Sequence, residues 1–156
     1  MNSTITPRDW AVLLVSVVVC VVLGALSGMT ASASAGYSGL EMPPLSPPGI
    51  VFPIAWTILY ILLGASLWLM YRSGGDRIFY ILFAVQMVLN LVWVPLFFGS
   101  GMMEAAMVDL VLMWIITLAM IIVSRGSARY ASYLLVPYII WLTFAAYLNA
   151  GALVLN

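Results

Sequence analysis

One apolar stretch of the sequence carries amide and aromatic side chains at intervals that place them on a single helix face. Gln86, Asn90, Trp93 and Phe97 follow one another at steps of four, three and four residues, which is the spacing of one stripe along an α-helix. Amides donate and accept hydrogen bonds, and aromatic rings stack on one another and on flat apolar molecules. Such a stripe suits either a pocket for an aromatic ligand or hydrogen bonds between helices.

A comparable face lies near the end of the chain, and a third stretch adds two rings. The residues that share the face near the end of the chain are Tyr138, Trp141, Ala145, Leu148 and Asn149. Trp56 and Tyr60 lie one turn apart in the third stretch. Small Ala145 among large aromatic side chains leaves room that a closely packed core would fill. From these residues alone, interhelical hydrogen bonds are favoured over a pocket lining, and both interpretations stay open.

The composition decides which solvent surrounds these stretches. Of the 156 residues, 65% are hydrophobic and 6% are charged, whereas a soluble domain carries roughly 25% charged residues. A chain of this size cannot hide so much apolar surface from water, so its solvent must be lipid. The net charge is zero and no basic stripe is present, so we expect no nucleic-acid partner. Histidine is absent and Cys20 is the single cysteine, which argues against disulfides, zinc clusters, Ser-His and Cys-His nucleophile arrangements and histidine-ligated haem. We predict no metal site.

Charged positions divide the chain into five apolar runs, each long enough to cross a hydrocarbon core of about 30 Å. We predict transmembrane helices over residues 11–29, 50–71, 78–98, 102–124 and 130–155. The connections after the second, third and fourth helices are short, so consecutive helices must be antiparallel neighbours. No internal repeat is visible. The sequence therefore predicts an all-α membrane protein, a five-helix transmembrane bundle in which residues 1–156 form a single domain.

The arginines predict the orientation of this bundle. Arg8 precedes the first helix, Arg72 and Arg77 lie between the second and third, and Arg125 and Arg129 lie between the fourth and fifth. All five fall on one side, while the opposite connections carry no basic residue. By the positive-inside rule, we expect a cytoplasmic N-terminus and a C-terminus on the outside.

The long connection between the first two helices, residues 30–49, is rich in proline just before the second helix. Pro43, Pro44, Pro47 and Pro48 force extended or turn backbone, and Pro53 follows in the first turn of the helix, where its missing donor costs little. A segment stiffened in this way cannot coil into the membrane. We predict that it forms a lid over the outer mouth of the bundle, above Trp56 and Tyr60.

Two further features invite a functional interpretation. Asp109 is the one acidic residue clearly inside a predicted span, and a structural hydrogen bond to a neighbouring helix explains it better than a proton relay without a partner. The segment "GALSG" places Gly24 and Gly28 four residues apart, which allows helices to approach closely either in a dimer or within the bundle.

Three segments of the sequence resemble the signature segments of the TspO/MBR family, the tryptophan-rich sensory proteins and translocator proteins. They are "PPGIVFPIAWTILY", "NLVWVPLFFG" with "VDL" following it, and "VPYIIWLTFAAYLN". The resemblance covers the second to fifth helices in order and spacing. It implies a five-helix bundle, often dimeric, whose outer-facing pocket is roofed by the first loop.

The resemblance also implies which residues hold a ligand. Trp56 and Trp141 match tryptophans linked to porphyrin binding and to light-dependent porphyrin breakdown, and Tyr37 resembles a tyrosine of the loop. The other matching pocket positions are Asn90, Trp93, Ala145, Leu148 and Asn149. Three positions where members often carry tryptophan are Gly36, Leu45 and Ala105 here, so the lid and one wall are less aromatic than in those members.

The function implied by this resemblance is binding of protoporphyrin-like tetrapyrroles and other flat lipophilic molecules, by a sensor, regulator or transporter. The alternative is an enzyme that degrades porphyrin in light, with Trp56 and Trp141 as photochemical candidates. No acid–base pair for a dark reaction is evident, so a non-enzymatic role is favoured. We expect porphyrin as a ligand with no required cofactor, the lipid bilayer as surroundings, and a second copy of the chain as a candidate partner. The absence of a long basic tail favours a bacterial cytoplasmic membrane over mitochondria.

Overall fold

The structure, a computed structural model, consists of five long helices. It describes residues 4–33 and 40–156, without the side chains of residues 30–33, so Tyr37 and Gly36 lie outside the described residues. The helices are α1 (Pro7–Ala33), α2 (Val51–Arg72), α3 (Arg77–Val94), α4 (Met103–Ser127) and α5 (Arg129–Leu155). Each of the five is long and apolar enough to cross a membrane, which confirms the predicted all-α, five-span fold.

Helix α1 continues past its predicted end. We predicted that this helix ends at residue 29, where the hydrophobic run gives way to serine, threonine and alanine. In the structure, α1 extends to Ala33. These small residues lower the hydropathy without preventing helical backbone. Because α2 begins at Val51, one residue later than predicted, the connection between α1 and α2 is three residues shorter than we predicted.

Helix α3 ends differently from the continuous helix that we predicted over residues 78–98. After Val94 the chain makes one π-helical turn, Pro95–Gly99. Proline has no N–H to donate to the carbonyl four residues earlier, which is that of Leu91, so regular α-helical bonding fails at this point. The Ser27 hydroxyl of α1 donates to the Leu91 carbonyl oxygen at 3.2 Å. The Leu91 carbonyl oxygen of α3 therefore lacks a donor at position 95 and accepts a hydrogen bond from α1.

The bundle is built mainly from antiparallel pairs, but the prediction that α2 and α3 are neighbours is wrong, because these consecutive helices touch only marginally and α2 packs on α1 and α5 instead. Helix α1 packs chiefly on α2, and α4 chiefly on α5, while α3 packs on α4 and α2 on α5. Helices α1 and α2 approach most closely at Gly64, where a Cβ atom would lie 2.6 Å from the Val17 Cα atom. Trp114 on α4 donates from Nε1 to the Thr143 hydroxyl of α5 at 2.9 Å, and this bond fixes the register of that pair.

The helix ends that carry arginine lie together. Asp9 at the start of α1 is paired with Arg72 at the end of α2, with 3.8 Å between Oδ1 and Nε. Phe79 of α3 and Ala128 between α4 and α5 belong to one buried cluster with Met70 of α2. All five arginines therefore occur at one end of the bundle, as the spans require. Which end faces the cytoplasm stays a prediction.

Candidate functional site

A cavity of about 510 Å³ opens between α1, α2 and α3 at the end of the bundle opposite the arginines. Aromatic side chains and glycines dominate its walls. The lining residues are Val21, Gly24, Ala25, Gly28, Met29, Gly49, Phe52, Pro53, Trp56, Thr57, Tyr60, Trp93, Val94 and Phe98. No charged side chain is among them. The cavity is therefore suited to an apolar or aromatic molecule of moderate size.

Trp56 is the centre of the aromatic wall. Its ring centroid lies 5.8 Å from that of Tyr60 and 6.0 Å from that of Trp93. Tyr138 and Trp141 of α5 approach Trp56 edge-on, each with centroids 6.3 Å away. The structure thus brings rings from α2, α3 and α5 together around one indole.

Helix α1 supplies the opposite wall of the cavity. We did not predict from the sequence that α1 contributes to the site. Val21, Gly24, Ala25 and Gly28 recur at helical spacing and line the cavity. Gly24 packs against the ring of Tyr60, so that a Cβ atom there would overlap the ring, whereas a Cβ atom at Gly28 would meet nothing within 4 Å. Of the two interpretations of "GALSG", packing within the bundle therefore applies to Gly24, while Gly28 leaves open space.

Beneath the cavity, four polar side chains form hydrogen bonds between three helices. The Tyr60 hydroxyl of α2 donates to Asn90 Oδ1 of α3, and Asn90 Nδ2 donates to the Tyr138 hydroxyl of α5. Gln86 Nε2 also donates to the Tyr138 hydroxyl, at 3.1 Å. Asn90 is 1% exposed and Tyr138 is 0% exposed. Gln86, Asn90 and Tyr138 thus make the interhelical bonds that the sequence left open as one alternative.

Replacing Asn90 with leucine should destabilise the fold. The substitution keeps the volume similar but leaves the Tyr60 and Tyr138 hydroxyls with one partner fewer in a buried site. Hydrogen bonds between membrane helices contribute about 0.6 kcal/mol on average and up to about 1.7 kcal/mol, so we expect a loss of about 1–2 kcal/mol. Equilibrium unfolding in sodium dodecyl sulfate, followed by circular dichroism, measures this loss.

Asn149→Leu is the matched control for that measurement. Asn149 of α5 is also a 1% exposed amide, but neither its Oδ1 nor its Nδ2 has a hydrogen-bond partner in the described part of the chain. Its replacement should cost little or stabilise the protein, because a buried polar group without a partner is unfavourable. Equal losses from the two substitutions would contradict a stabilising role for the Asn90 bonds.

The remaining predicted residues lie behind the cavity wall. Trp141 approaches Phe52 edge-on at 6.0 Å between centroids, and Phe97 stacks on Trp93 at 5.4 Å. Ala145, Leu148 and Asn149 are buried on the inner face of α5. None of these five, nor Gln86, Asn90 or Tyr138, is among the lining residues of the cavity between α1, α2 and α3. Their role in holding a ligand stays a prediction.

Several buried polar atoms near this wall have no hydrogen-bond partner within residues 4–33 and 40–156. They are the indole Nε1 atoms of Trp93 and Trp141, both amide atoms of Asn149 and the Oδ2 atom of Asp109. The interhelical bond that we expected for Asp109 is therefore not made by its buried oxygen. Buried polar atoms usually have a hydrogen-bond partner, so these groups are available to form further hydrogen bonds.

The proline-rich segment lies across the C-terminal end of α5. Tyr147 donates its hydroxyl to the Pro44 carbonyl oxygen at 2.6 Å. The backbone of Glu41 exchanges two hydrogen bonds with the Asn156 side chain, at 3.0 and 2.9 Å. Pro43 is buried against Gly151, where a Cβ atom would overlap the proline ring. Residues 40–48 are thus held at the end of the bundle where Gly49 and Phe52 enter the cavity.

Comparison with known proteins agrees with this architecture. The model of the TspO/MBR family matches residues 16–155, which cover α1 from its tenth residue onward and all of α2 to α5. The chain belongs to the TspO/MBR family. It is consequently an integral multi-pass membrane protein, as the five apolar helices indicate.

Relatives in the TspO/MBR family come from bacteria and animals. The chain is 43% identical to the tryptophan-rich protein TspO of Chlorobaculum tepidum, over 80% of this chain and 81% of the relative. It is 33% identical to the tryptophan-rich sensory protein of Cereibacter sphaeroides, over 95% and 93%. It is 36% identical to the translocator protein of Ovis aries, over 72% and 70%.

Two of the three departures of this TspO/MBR chain from the aromatic pattern lie outside the cavity wall, and the third, Gly36, lies outside the described residues. Leu45 is 85% exposed in the proline-rich turn, and Ala105 is half-buried in the first turn of α4. Neither lines the cavity. The aromatic residues that do line it come from α2, α3 and the π-helical turn.

Proposed function

We propose that the protein binds metal-free porphyrins, or other flat lipophilic molecules, in the cavity between α1, α2 and α3. The observation that supports this most is the wall formed by Trp56, Trp93 and Tyr60 beside a cavity of about 510 Å³. Small-molecule sites are typically concave, mostly apolar and about 300–1,000 Å³ in volume. Aromatic rings on one wall and glycines on the other leave a space suited to a flat molecule.

The rim of the cavity suits the charged edges of such a ligand. Met29, Gly28 and Gly49 are exposed lining residues at the rim, so charged substituents of a porphyrin would remain near water there. Neither Asn90 nor Asn149 lines this cavity, so the polar edges of the ligand would face the rim rather than these two amides. Stacking and apolar burial would hold the ring, at about 25 cal/mol per Å² before the costs of association. With no histidine in the chain, imidazole ligation of a haem iron is excluded, which favours a metal-free ring.

Titration with protoporphyrin IX tests this proposal. Trp56→Phe should weaken binding about twofold to tenfold, because the smaller ring loses stacking worth about 0.5–1.5 kcal/mol. The shift of the porphyrin absorption band measures binding without relying on the tryptophan that is replaced. Trp114→Phe is the control, since Trp114 bonds to Thr143 on the α4–α5 pair and does not line the cavity. Unsaturable binding, or equal affinity in both variants and the unmodified protein, would refute the proposal.

A light-dependent reaction is the second candidate, and the indole cluster favours it. Trp93 and Trp141 lie with ring centroids 6.0 and 6.3 Å from Trp56, so a porphyrin excited by light beside Trp56 would have three indoles nearby as electron donors, with oxygen as the oxidant. Absorption spectra of bound porphyrin before and after illumination, compared between the unmodified protein and Trp141→Phe, distinguish this from simple binding.

The same cavity serves a sensor or a transporter. A sensor needs ligand occupancy to change a surface that another protein contacts, whereas a transporter needs flux across the membrane. Porphyrin flux into sealed vesicles containing the purified protein separates the two, because a sensor binds without increasing flux.

A further inference from the structure

A second groove follows α1 at the arginine end of the bundle, on the side that faces α3. It has a volume of about 480 Å³ and shares no lining residue with the cavity beside Trp56. Its lining residues are Arg8, Ala11, Val12, Val15, Ser16, Val19, Cys20, Leu23, Leu67, Phe83 and Met87. Neither the proposed porphyrin site nor the hydrogen bonds beneath it account for this groove.

The walls of the groove exclude a polar ligand over nearly all of its length. Beyond Arg8, the lining side chains are apolar apart from Ser16 and Cys20. Ser16 already donates its hydroxyl to the Leu13 carbonyl oxygen at 3.0 Å within α1. The groove therefore offers almost no hydrogen bond to an occupant, and hydrocarbon is the chemistry that it fits.

The length of the groove suits one acyl chain. From Arg8 to Leu23, α1 rises about 22 Å at about 1.5 Å per residue, which exceeds half of a hydrocarbon core of about 30 Å. One extended acyl chain of a single membrane leaflet can therefore lie along the groove.

Arg8 decides which lipid the groove favours. It is exposed at the end of the groove, and among the described residues the ion pair at this end is formed by its neighbours, Asp9 with Arg72. Thr6 also donates to the Asp9 carboxylate, from its backbone N–H and its hydroxyl, each at 2.8 Å. Asp9 is thus engaged elsewhere, and Arg8 makes no salt bridge within the described chain.

We infer that this groove is a binding site for one anionic phospholipid, with an acyl chain along α1 and the phosphate at Arg8. The chain runs past Ala11, Val15 and Val19 toward Leu23. The negative headgroup is held by the guanidinium, which pairs well with phosphate oxygens. The remaining arginines at this end strengthen the preference for negative lipid through their combined field.

Native mass spectrometry of the purified protein tests this inference with phosphatidylglycerol and phosphatidylcholine of identical acyl chains. We expect one retained lipid, with phosphatidylglycerol bound at least about fivefold more tightly, the factor that corresponds to about 1 kcal/mol per basic residue near a lipid surface. Arg8→Gln should remove most of this preference. Arg125→Gln is the control, because Arg125 is exposed at the same end on α4 and does not line the groove.

Filling the groove tests its location. Ala11→Trp places a large ring in the channel and should abolish retention of either lipid. Leu14→Trp, one turn along α1 on a surface that is 66% exposed and outside the groove, should leave retention unchanged. Circular dichroism of each variant establishes that the helices are intact.

Any one of four results would overturn the inference. The first three are equal retention of the two lipids, a loss of preference in Arg125→Gln as large as in Arg8→Gln, and retention of phosphatidylglycerol by a folded Ala11→Trp variant. The fourth is a lipid-free dimer that Ala11→Trp dissociates, because a second copy would then occupy this face.

Discussion

Gly28→Phe should abolish protoporphyrin binding while leaving the bundle folded. Gly28 lies on the α1 stripe that faces the cavity, and a Cβ atom there meets nothing within 4 Å. A phenyl ring therefore enters the cavity without displacing backbone and occupies the space proposed for the porphyrin. We expect at least a tenfold loss of affinity, which is about 1.4 kcal/mol, measured by absorption titration.

The control for this substitution is Gly126→Phe. Gly126 is an exposed glycine near the end of α4, and a Cβ atom there also meets nothing within 4 Å. Both variants replace a helical glycine, which should slightly favour the helix since glycine costs about 1 kcal/mol there. Undiminished porphyrin affinity in folded Gly28→Phe would place the ligand somewhere other than beside α1.

Gly64→Ala should strongly destabilise the fold. A Cβ atom at Gly64 would lie 2.6 Å from Val17 Cα and 2.8 Å from the Ser16 carbonyl oxygen. Both are backbone atoms, so the strain cannot be relieved by rotating a side chain, and α1 must move away from α2. Overpacking of this kind typically costs about 1–3 kcal/mol, and we expect a loss near the upper end of that range in sodium dodecyl sulfate unfolding.

Gly28→Ala is the matched control for Gly64→Ala. It introduces the same methyl group into α1 where nothing lies within 4 Å, so it should be neutral or slightly stabilising through helix propensity. If Gly64→Ala proved as stable as Gly28→Ala, the close approach of α1 and α2 would not be a constraint on the fold.

The five spans were predictable because length, hydropathy and charge determine them directly. Arginines mark the turns, and the apolar runs between them are as long as the membrane requires. The end of α1 was not predictable in this way, since the small residues up to Ala33 fit a helix or a loop equally. The π-helical turn at Pro95 has a visible signal, the proline, but the acceptor that it frees on Leu91 becomes informative only when Ser27 is known to lie opposite.

The aromatic half of the site was predictable and the glycine half was not. Trp56, Tyr60 and Trp93 stand out because large polar-tipped rings are costly to leave in lipid and recur at helical spacing. Gly24 and Gly28 define the other wall by the volume that they leave empty, and a small apolar residue that faces a cavity has the same sequence signature as one that faces lipid.

The sequence also could not separate hydrogen bonds from pocket lining. Asn90 and Asn149 are both amides on inward helix faces, yet Asn90 bonds to two tyrosines while Asn149 bonds to no described group. That difference depends on which side chains of other helices lie opposite, and spacing along one helix carries no information about this.

The measurement that bears most directly on the porphyrin site is an experimental structure of the protein with protoporphyrin IX bound. We predict that the tetrapyrrole lies between the glycines of α1 and the rings of Trp56 and Trp93. A porphyrin on the lipid-facing surface of the bundle, or between α4 and α5 with this cavity empty, would contradict the proposed function.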